Sequence, residues 1–174
     1  MSERIFIGVA WPYANGPLHL GHVAGCYLAA DIFARYHRLK GNQVLMVSGS
    51  DQHGTPVTIT AEQQGLTPGE VANKYHLAFC RSWAQMGITF DLFTATSTNN
   101  HQAIVQNIFK TLQDKGYIYK DIMRLPYCPS DNRFLPDRYV EGTCPNCDNL
   151  RARGDQCDNC GKTLDPVDLK GARC

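Results

Sequence analysis

The stretch "PYANGPLHLGH", residues 12–22, lies between two segments of different character. Before it, the β-branched and aromatic run "RIFIGVA" (4–10) predicts a short buried strand. After it, apolar residues recur at three- and four-residue steps from Leu18 to Lys40, which predicts an amphipathic helix ended by a glycine. His19 and His22 then fall in the first turn of this helix, on one face.

A second apolar run, "QVLMVSG" (43–49), predicts another buried strand. The helix between the two strands is long enough for a crossover, so the strands should be parallel. A further helix is expected over 68–86, because Thr67 and Glu70 form a capping box around a proline at the first helical position. Another strand is expected in "ITFDLFTATS" (88–97), and another helix in the residues that follow. The expected fold class is α/β, a parallel sheet with flanking helices.

Composition and charge narrow the class of protein. The chain has 174 residues, 43% of them hydrophobic, which excludes a disordered tail. Seventeen basic and sixteen acidic side chains give a formal charge of +1, so no broad field attracts nucleic acid or a membrane. No signal peptide and no apolar stretch of about 20 residues is present, so a cytoplasmic location is expected. The eight cysteines are then expected to be metal ligands and buried thiols rather than disulfides.

The two histidines suggest an anion site. A helix that starts at the carboxyl edge of a parallel sheet presents free N–H groups to an anion, and both imidazoles could donate to the same group. Gly21 would let a flat ligand approach the backbone. The usual phosphate-loop motifs are absent from this stretch. The residues alone therefore leave two interpretations open, a phosphate or nucleotide site and two ordinary surface or core histidines.

The cysteines near the end of the chain form two C-x-x-C pairs separated by nine residues, Cys144, Cys147, Cys157 and Cys160. This spacing indicates a closed tetrahedral site for structural zinc, with disulfides or iron as alternatives. The surrounding segment has little apolar content, so its folding should be coupled to metal binding. We expect two domains, residues 1–116 and 117–174.

The H-x-G-H motif at residues 19–22 resembles the signature of the class I aminoacyl-tRNA synthetases and their nucleotidyltransferase relatives. The sequences "PYANGPLHLGH", "SGSDQHGTP" (48–56) and "FLPDRYVEGTCPNC" (134–147) resemble the methionyl-tRNA synthetase family within that class. The resemblance implies the first half of a Rossmann-like catalytic domain, followed by the beginning of a zinc-knuckle connective insertion. It also implies a methionine–tRNA ligase that uses ATP with Mg²⁺ to form methionyl adenylate and transfers methionine to tRNA(Met).

The resemblance further implies roles for individual residues. His19 and His22 would be the catalytic donors to the phosphate oxygens of the transition state. Methionine would be held by Trp11, Tyr13 and Asp51, with the carboxylate on its ammonium group and the tyrosine ring against its thioether. ATP would contact Asn15, Gly16, His19, Gly21 and His22. Trp11 departs from the leucine of many family members, and His53 lies near the site in the sequence.

Several expectations concern what else the sequence contains. The second half of the sheet, a K-M-S-K-S loop and an anticodon-binding domain are absent, so the chain is expected to be an amino-terminal fragment with little activity alone. A non-catalytic zinc or RNA-binding module and another H-x-G-H nucleotidyltransferase are the alternatives. Cys128 and Cys174 could form half of a second knuckle, in which Asp131 replaces a cysteine. Cys26 and Cys80 are expected to be buried apolar residues. The sequence does not give an oligomeric state.

Overall fold

The computed structural model describes residues 2–174, and the chain divides into two compact units. The first unit ends at Lys115, and the second extends from Gly116 to Cys174. Among the described residues, no helix is both long enough and apolar enough to cross a bilayer. The two units are described separately.

The first unit is built on a parallel sheet of three strands, in the order β1 (Arg4–Gly8), β2 (Gln43–Ser50) and β3 (Leu92–Ala95). Strands β1 and β2 align from Arg4 opposite Gln43, and all three strands run in the same direction. The expectation of an α/β fold with parallel strands is therefore confirmed. The carboxyl ends of these strands lie at one edge of the sheet, where ligands bind in folds of this type.

The helices of the first unit are α1 (Leu20–His22), α2 (Leu28–Leu39), α3 (Thr55–Gln64), α4 (Pro68–Met86) and α5 (Asn99–Asp114). A π-helical turn, Val23–Tyr27, joins α1 to α2, and the N–H of Leu28 donates to the carbonyl of Val23. The single helix expected from Leu18 to Lys40 is therefore interrupted. Helix α3 was not predicted, whereas the capping box of α4 at Thr67 and Glu70 is confirmed.

The core of the first unit lies between the sheet and the helices. Its largest side chains with almost no exposed surface are Tyr27, Met46, Phe79 and Trp83. The rings of Tyr27 and Trp83 are tilted, with their centroids 4.5 Å apart. Burial of each such side chain is worth about 1.5–3 kcal/mol, so this cluster supplies much of the stability that holds the strand ends in place.

The second unit is small and mostly irregular. Strands β4 (Tyr127–Cys128) and β5 (Arg133–Phe134) form an antiparallel pair, and a three-stranded antiparallel sheet has the order β7 (Ala152–Arg153), β6 (Glu141–Thr143), β8 (Lys170–Arg173). Two 3₁₀ turns lie at Asp137–Tyr139 and Pro166–Asp168. The buried cluster contains two of the C-x-x-C cysteines among its members Cys128, Leu135, Val140, Cys144, Ala152, Cys157, Leu164 and Leu169.

Cys26 and Cys80, expected to be buried apolar residues, are only half-buried. Cys26 packs against the edge of the core. The sulfur of Cys80 lies 3.8 Å from Nε2 of His76, and partial burial raises the pKa of its thiol. Helical periodicity alone does not distinguish a position at the margin of the core, such as Cys26, from one at its centre.

Candidate functional site

Tyr13 and Asp51 are brought side by side by a parallel bridge beyond the ends of the first two strands. The N–H of Ala14 donates to the carbonyl of Asp51 at 2.8 Å, and the N–H of Asp51 donates to the carbonyl of Pro12 at 2.8 Å. The ladder between β1 and β2 is thus resumed after a short interruption. This pairing fixes the backbone of both predicted methionine-binding residues relative to each other.

His19 and His22 form a reciprocal cap at the start of helix α1. Nδ1 of His19 accepts the N–H of His22, and Nδ1 of His22 accepts the N–H of His19, both at 3.3 Å. The two rings stack with centroids 3.7 Å apart. Because each Nδ1 acts as an acceptor, the neutral tautomer carries its proton on Nε2. Two Nε2–H donors therefore remain for a ligand at the amino end of the helix.

The charge state of His22 follows from its surroundings. Partial burial, and then the charge of His19, lower its pKa below the ordinary value for histidine. A neutral His22 keeps Nδ1 as an acceptor and Nε2 as a donor. Near neutral pH the arrangement therefore offers a hydrogen-bond donor without adding a full positive charge.

The glycine at position 21 is explained by a close contact with His19 that the sequence did not reveal. A Cβ atom at this position would lie 3.0 Å from both Cε1 and Nδ1 of His19, which is too close for an unstrained contact. The absence of a side chain at Gly21 therefore makes room for the capping imidazole. Asn15 and Gly16, the other predicted ATP contacts, lie in the half-buried turn before the helix.

Trp11 lies against the backbone of strand β2. A Cβ added to Gly49 would be 2.6 Å from Cζ3 of Trp11 and 2.6 Å from the carbonyl oxygen of Thr94. The indole thus occupies space that any other residue at position 49 would take. His101 is its aromatic neighbour, with ring centroids 5.9 Å apart. The large indole of Trp11 is therefore accommodated because position 49 carries no side chain.

Several polar residues near this edge of the sheet were missed in the sequence. The hydroxyl of Ser50 is hydrogen-bonded to Nδ1 of His76 at 2.8 Å, and the side-chain amide of Gln52 donates to Ser50 at 3.2 Å. A cavity of about 400 Å³ lies here, lined by Gln52, His53, Pro68, Gly69, Ala72, Asn73, His76, Ala95 and Ser97. The alternation of side chains along β2 could have placed Ser50 and Gln52 on the face opposite Asp51, but not their contact with His76.

The four cysteines of the two C-x-x-C pairs come together in the second unit, with their sulfur atoms all within 4.8 Å of one another. Two sulfur separations are 4.0 Å, between Cys144 and Cys160, and 3.6 Å, between Cys147 and Cys157. A tetrahedral zinc site with Zn–S bonds of about 2.3 Å requires separations of about 3.8 Å. The geometry and the donor set therefore fit zinc.

Hydrogen bonds favour the thiolate form, which a metal requires, at Cys157 and Cys160, whereas the pKa of Cys147 is raised. The backbone N–H of Cys160 and the side chain of Asn149 help to lower the pKa of Cys157 to about 6. The backbone N–H of Lys162, followed by the side chain of Asn146, lowers the pKa of Cys160. These donors would also orient the sulfur atoms around a metal ion.

A second group brings together Cys128, Asp131 and Cys174, with their ligand atoms within 4.8 Å of one another. The thiol of Cys174 donates to a carboxylate oxygen of Asp131 at 3.4 Å. Within residues 2–174 this group contains three potential ligands, one fewer than a closed structural zinc site uses.

Comparisons with known proteins agree with these motifs. The family model described as "tRNA synthetases class I (M)" matches residues 5–174. A methionine–tRNA ligase of Dehalococcoides mccartyi is 65% identical over 173 residues, which are 99% of this chain and 31% of the relative. One from Thermomicrobium roseum is 62% identical over 174 residues, which are 100% of this chain and 30% of the relative.

A solved structure, Mycobacterium tuberculosis methionyl-tRNA synthetase in complex with methionyl-adenylate, matches with a TM-score of 0.71 and 25% identity. The match covers 92% of this chain and 30% of that chain. The chain thus spans about 30% of the length of the curated relatives quoted above. Since the family model covers nearly every residue and includes both the histidine cap and the cysteine cluster, the chain belongs to the class I tRNA synthetases of the methionyl type.

Proposed function

We propose that this chain is the amino-terminal part of the catalytic region of a methionine–tRNA ligase. The whole enzyme would activate methionine with ATP and transfer it to tRNA(Met). The observation that carries the proposal is the reciprocal cap, which leaves two Nε2–H donors at a helix amino terminus, in a chain that matches the family over residues 5–174. A cytoplasmic location follows from this role.

In the activation step the carboxylate of methionine attacks the α-phosphorus of ATP, and pyrophosphate leaves. Negative charge increases on the phosphate oxygens in the transition state, and Mg²⁺ bound with ATP would neutralise part of it. His19 and His22 would donate their Nε2–H groups to these oxygens. Because Nδ1 of each ring is held by a backbone N–H, the donors are oriented before the substrate arrives.

Methionine would lie beside the paired backbones of Tyr13 and Asp51. The carboxylate of Asp51 would accept hydrogen bonds from the substrate ammonium group, and the ring of Tyr13 would contact the thioether. Trp11 would shape the same pocket. On the ATP side, the turn at Asn15 and Gly16 and the bare backbone at Gly21 would allow close approach.

The two units have separate proposed roles. Residues 1–116 would form the first half of the nucleotide-binding domain, and residues 117–174 would begin the connective insertion. Zinc bound by Cys144, Cys147, Cys157 and Cys160 would be structural, because four protein ligands leave no open coordination position. Since the chain is about 30% as long as the relatives, we expect it to have little activity alone.

The test is methionine-dependent exchange of pyrophosphate into ATP, measured on the full-length protein with each amino acid in turn. We expect exchange with methionine and subsequent charging of tRNA(Met). Exchange driven by another acid would instead indicate a different nucleotidyltransferase. Binding of tRNA without any exchange, by a folded and zinc-loaded protein, would indicate an RNA-binding module and overturn the proposal.

A further inference from the structure

The segment at the end of strand β2 has two polar faces. Ser50 and Gln52 point to one face, where Ser50 contacts Nδ1 of His76 at 2.8 Å and the hydroxyl of Ser97 donates to the side-chain carbonyl of Gln52. Asp51 lies between them in the sequence, and in an extended segment its side chain is directed to the opposite face. Its carboxylate accepts the backbone N–H of His53 at 3.3 Å.

A chain of hydrogen bonds joins three side chains on the Ser50 face. The amide of Gln52 donates to Oγ of Ser50 at 3.2 Å, and Oγ of Ser50 is hydrogen-bonded to Nδ1 of His76 at 2.8 Å. Nε2 of the same imidazole lies 3.8 Å from the sulfur of Cys80. Ser50 has no exposed surface, so no water competes for its hydroxyl group.

His76 is itself held in place by its surroundings. Its ring stacks on Phe93 of strand β3, with centroids 5.6 Å apart and an angle of 21° between the planes. It belongs to α4, a helix of 19 residues with a capping box at its start. A helix fixed in this way is a rigid support for the strand end that its side chain touches.

We propose that His76 is a positioning residue for methionine: through Ser50 it fixes the strand end from whose opposite face Asp51 reaches the substrate ammonium group. The inference rests on the proposed function. The bridge of Asp51 to Pro12 and Ala14 transmits the same constraint to Tyr13. Loss of the contact between His76 and Ser50 would therefore loosen both residues proposed to bind methionine, and leave the histidine cap at residues 19–22 intact.

The test compares variants of the full-length protein by pyrophosphate exchange. His76→Ala should raise KM for methionine about fivefold or more, the effect of losing one hydrogen bond, and leave KM for ATP nearly unchanged. His76→Asn should restore most of the affinity, because its side-chain amide occupies the position of Nδ1. Ser50→Ala should behave as His76→Ala does, and the double variant should be no worse than either single variant.

His37→Ala is the matched control. His37 is also half-buried and hydrogen-bonded through Nδ1, at 3.0 Å to Asn42, but it lies at the end of α2 near the start of β2. It should lower stability without changing KM for methionine. The inference is overturned if His76→Ala leaves KM for methionine unchanged, or raises the KM values of methionine and ATP equally.

These outcomes are separable from failure of the proposed function. If the wild-type protein shows no methionine-dependent exchange, the ligase assignment itself fails. If the wild type is active and additive losses appear in the Ser50→Ala and His76→Ala double variant, the assignment stands and the coupling through Ser50 is refuted.

Discussion

Nδ1 of His19 accepts the backbone N–H of His22, and Nδ1 of His22 accepts that of His19, while the two rings stack at 3.7 Å. In each residue Nδ1 therefore caps the helix, and Nε2 remains available to bind a ligand. The two roles can be separated by substitution, because asparagine reproduces the position of Nδ1 and glutamine reaches the position of Nε2.

His22→Asn should preserve the cap and lose the donor. We expect a melting temperature close to that of the wild type and a rate of methionine activation lowered about a hundredfold, which is the cost of one transition-state donor. His22→Gln should show the opposite balance, with weaker capping and a higher residual rate. An unchanged rate in His22→Asn, measured by pyrophosphate exchange in the full-length protein, would contradict the assignment of Nε2 as a donor.

Stability should fall on acidification in a way that depends on His22. Its pKa is lowered by burial and by the charge of His19, whereas the unfolded chain has the ordinary value of about 6.5. Between these two values the unfolded state binds more protons, so the free energy of unfolding decreases as the pH falls. The contribution is complete above about pH 6.5 and is lost as the pH falls through the lowered folded value.

Urea unfolding of the wild type and of His22→Asn between about pH 7.5 and 5 would measure this difference. The variant should lose less stability over that range. His76, whose pKa is also lowered by burial, contributes equally to both proteins and cancels in the comparison. Equal losses in the two proteins would show that His22 does not carry the pH dependence.

Gly49→Ala should destabilise the first unit by roughly 1–3 kcal/mol through overpacking. The added Cβ would lie 2.6 Å from Cζ3 of Trp11 and 2.6 Å from the carbonyl oxygen of Thr94, and that backbone oxygen belongs to strand β3 and cannot easily move. The matched control is Gly69→Ala, because no atom lies within 4 Å of the added Cβ there. Urea unfolding should separate the two variants, and equal stabilities would refute the close packing of Trp11.

Cys157→Ser should remove about one zinc ion per chain and unfold the second unit. Cys144 and Cys157 have no exposed surface and belong to the buried cluster of that unit, so two of the proposed zinc ligands are also part of its core. Zinc content and the protection of amide hydrogens in residues 116–174 would test this. Cys26→Ser, in the first unit, is the control. Full amide protection in metal-free protein would contradict the coupling.

Local signals determine which parts of the fold are predictable from sequence. Helix α4 could be placed because its start is marked by the capping box of Thr67 and Glu70 and by Pro68 at the first helical position. Helix α3 could not be placed, since its N-cap is Gly54, which has a φ of 98° and no side chain for a capping hydrogen bond. Its buried residues are only Val57 and Ala61. Its β-branched residues also favour strand as much as helix.

The same distinction applies to the site. His19 and His22 are neighbours in sequence, so their shared face follows from helical periodicity, although their reciprocal cap does not. The spacing of the four cysteines in two C-x-x-C pairs is enough to predict that they come together. The contact between Ser50 and His76 joins residues 26 positions apart, and the support of Trp11 by Gly49 joins residues 38 apart, so both depend on tertiary packing that no local pattern encodes.

The π-helical turn at Val23–Tyr27 determines how far the residues after it are rotated about the helix axis relative to His19 and His22. One residue more than a regular turn rotates everything downstream by about 100°, and in this phase the hydroxyl of Tyr27 donates to the carbonyl of Ala10 at 2.9 Å. Deleting one residue there would produce a more regular helix. It would also turn either the tyrosine or the imidazoles away from their partners. A regular α-helix here would therefore lose one of the two sets of contacts that the π-helical turn allows.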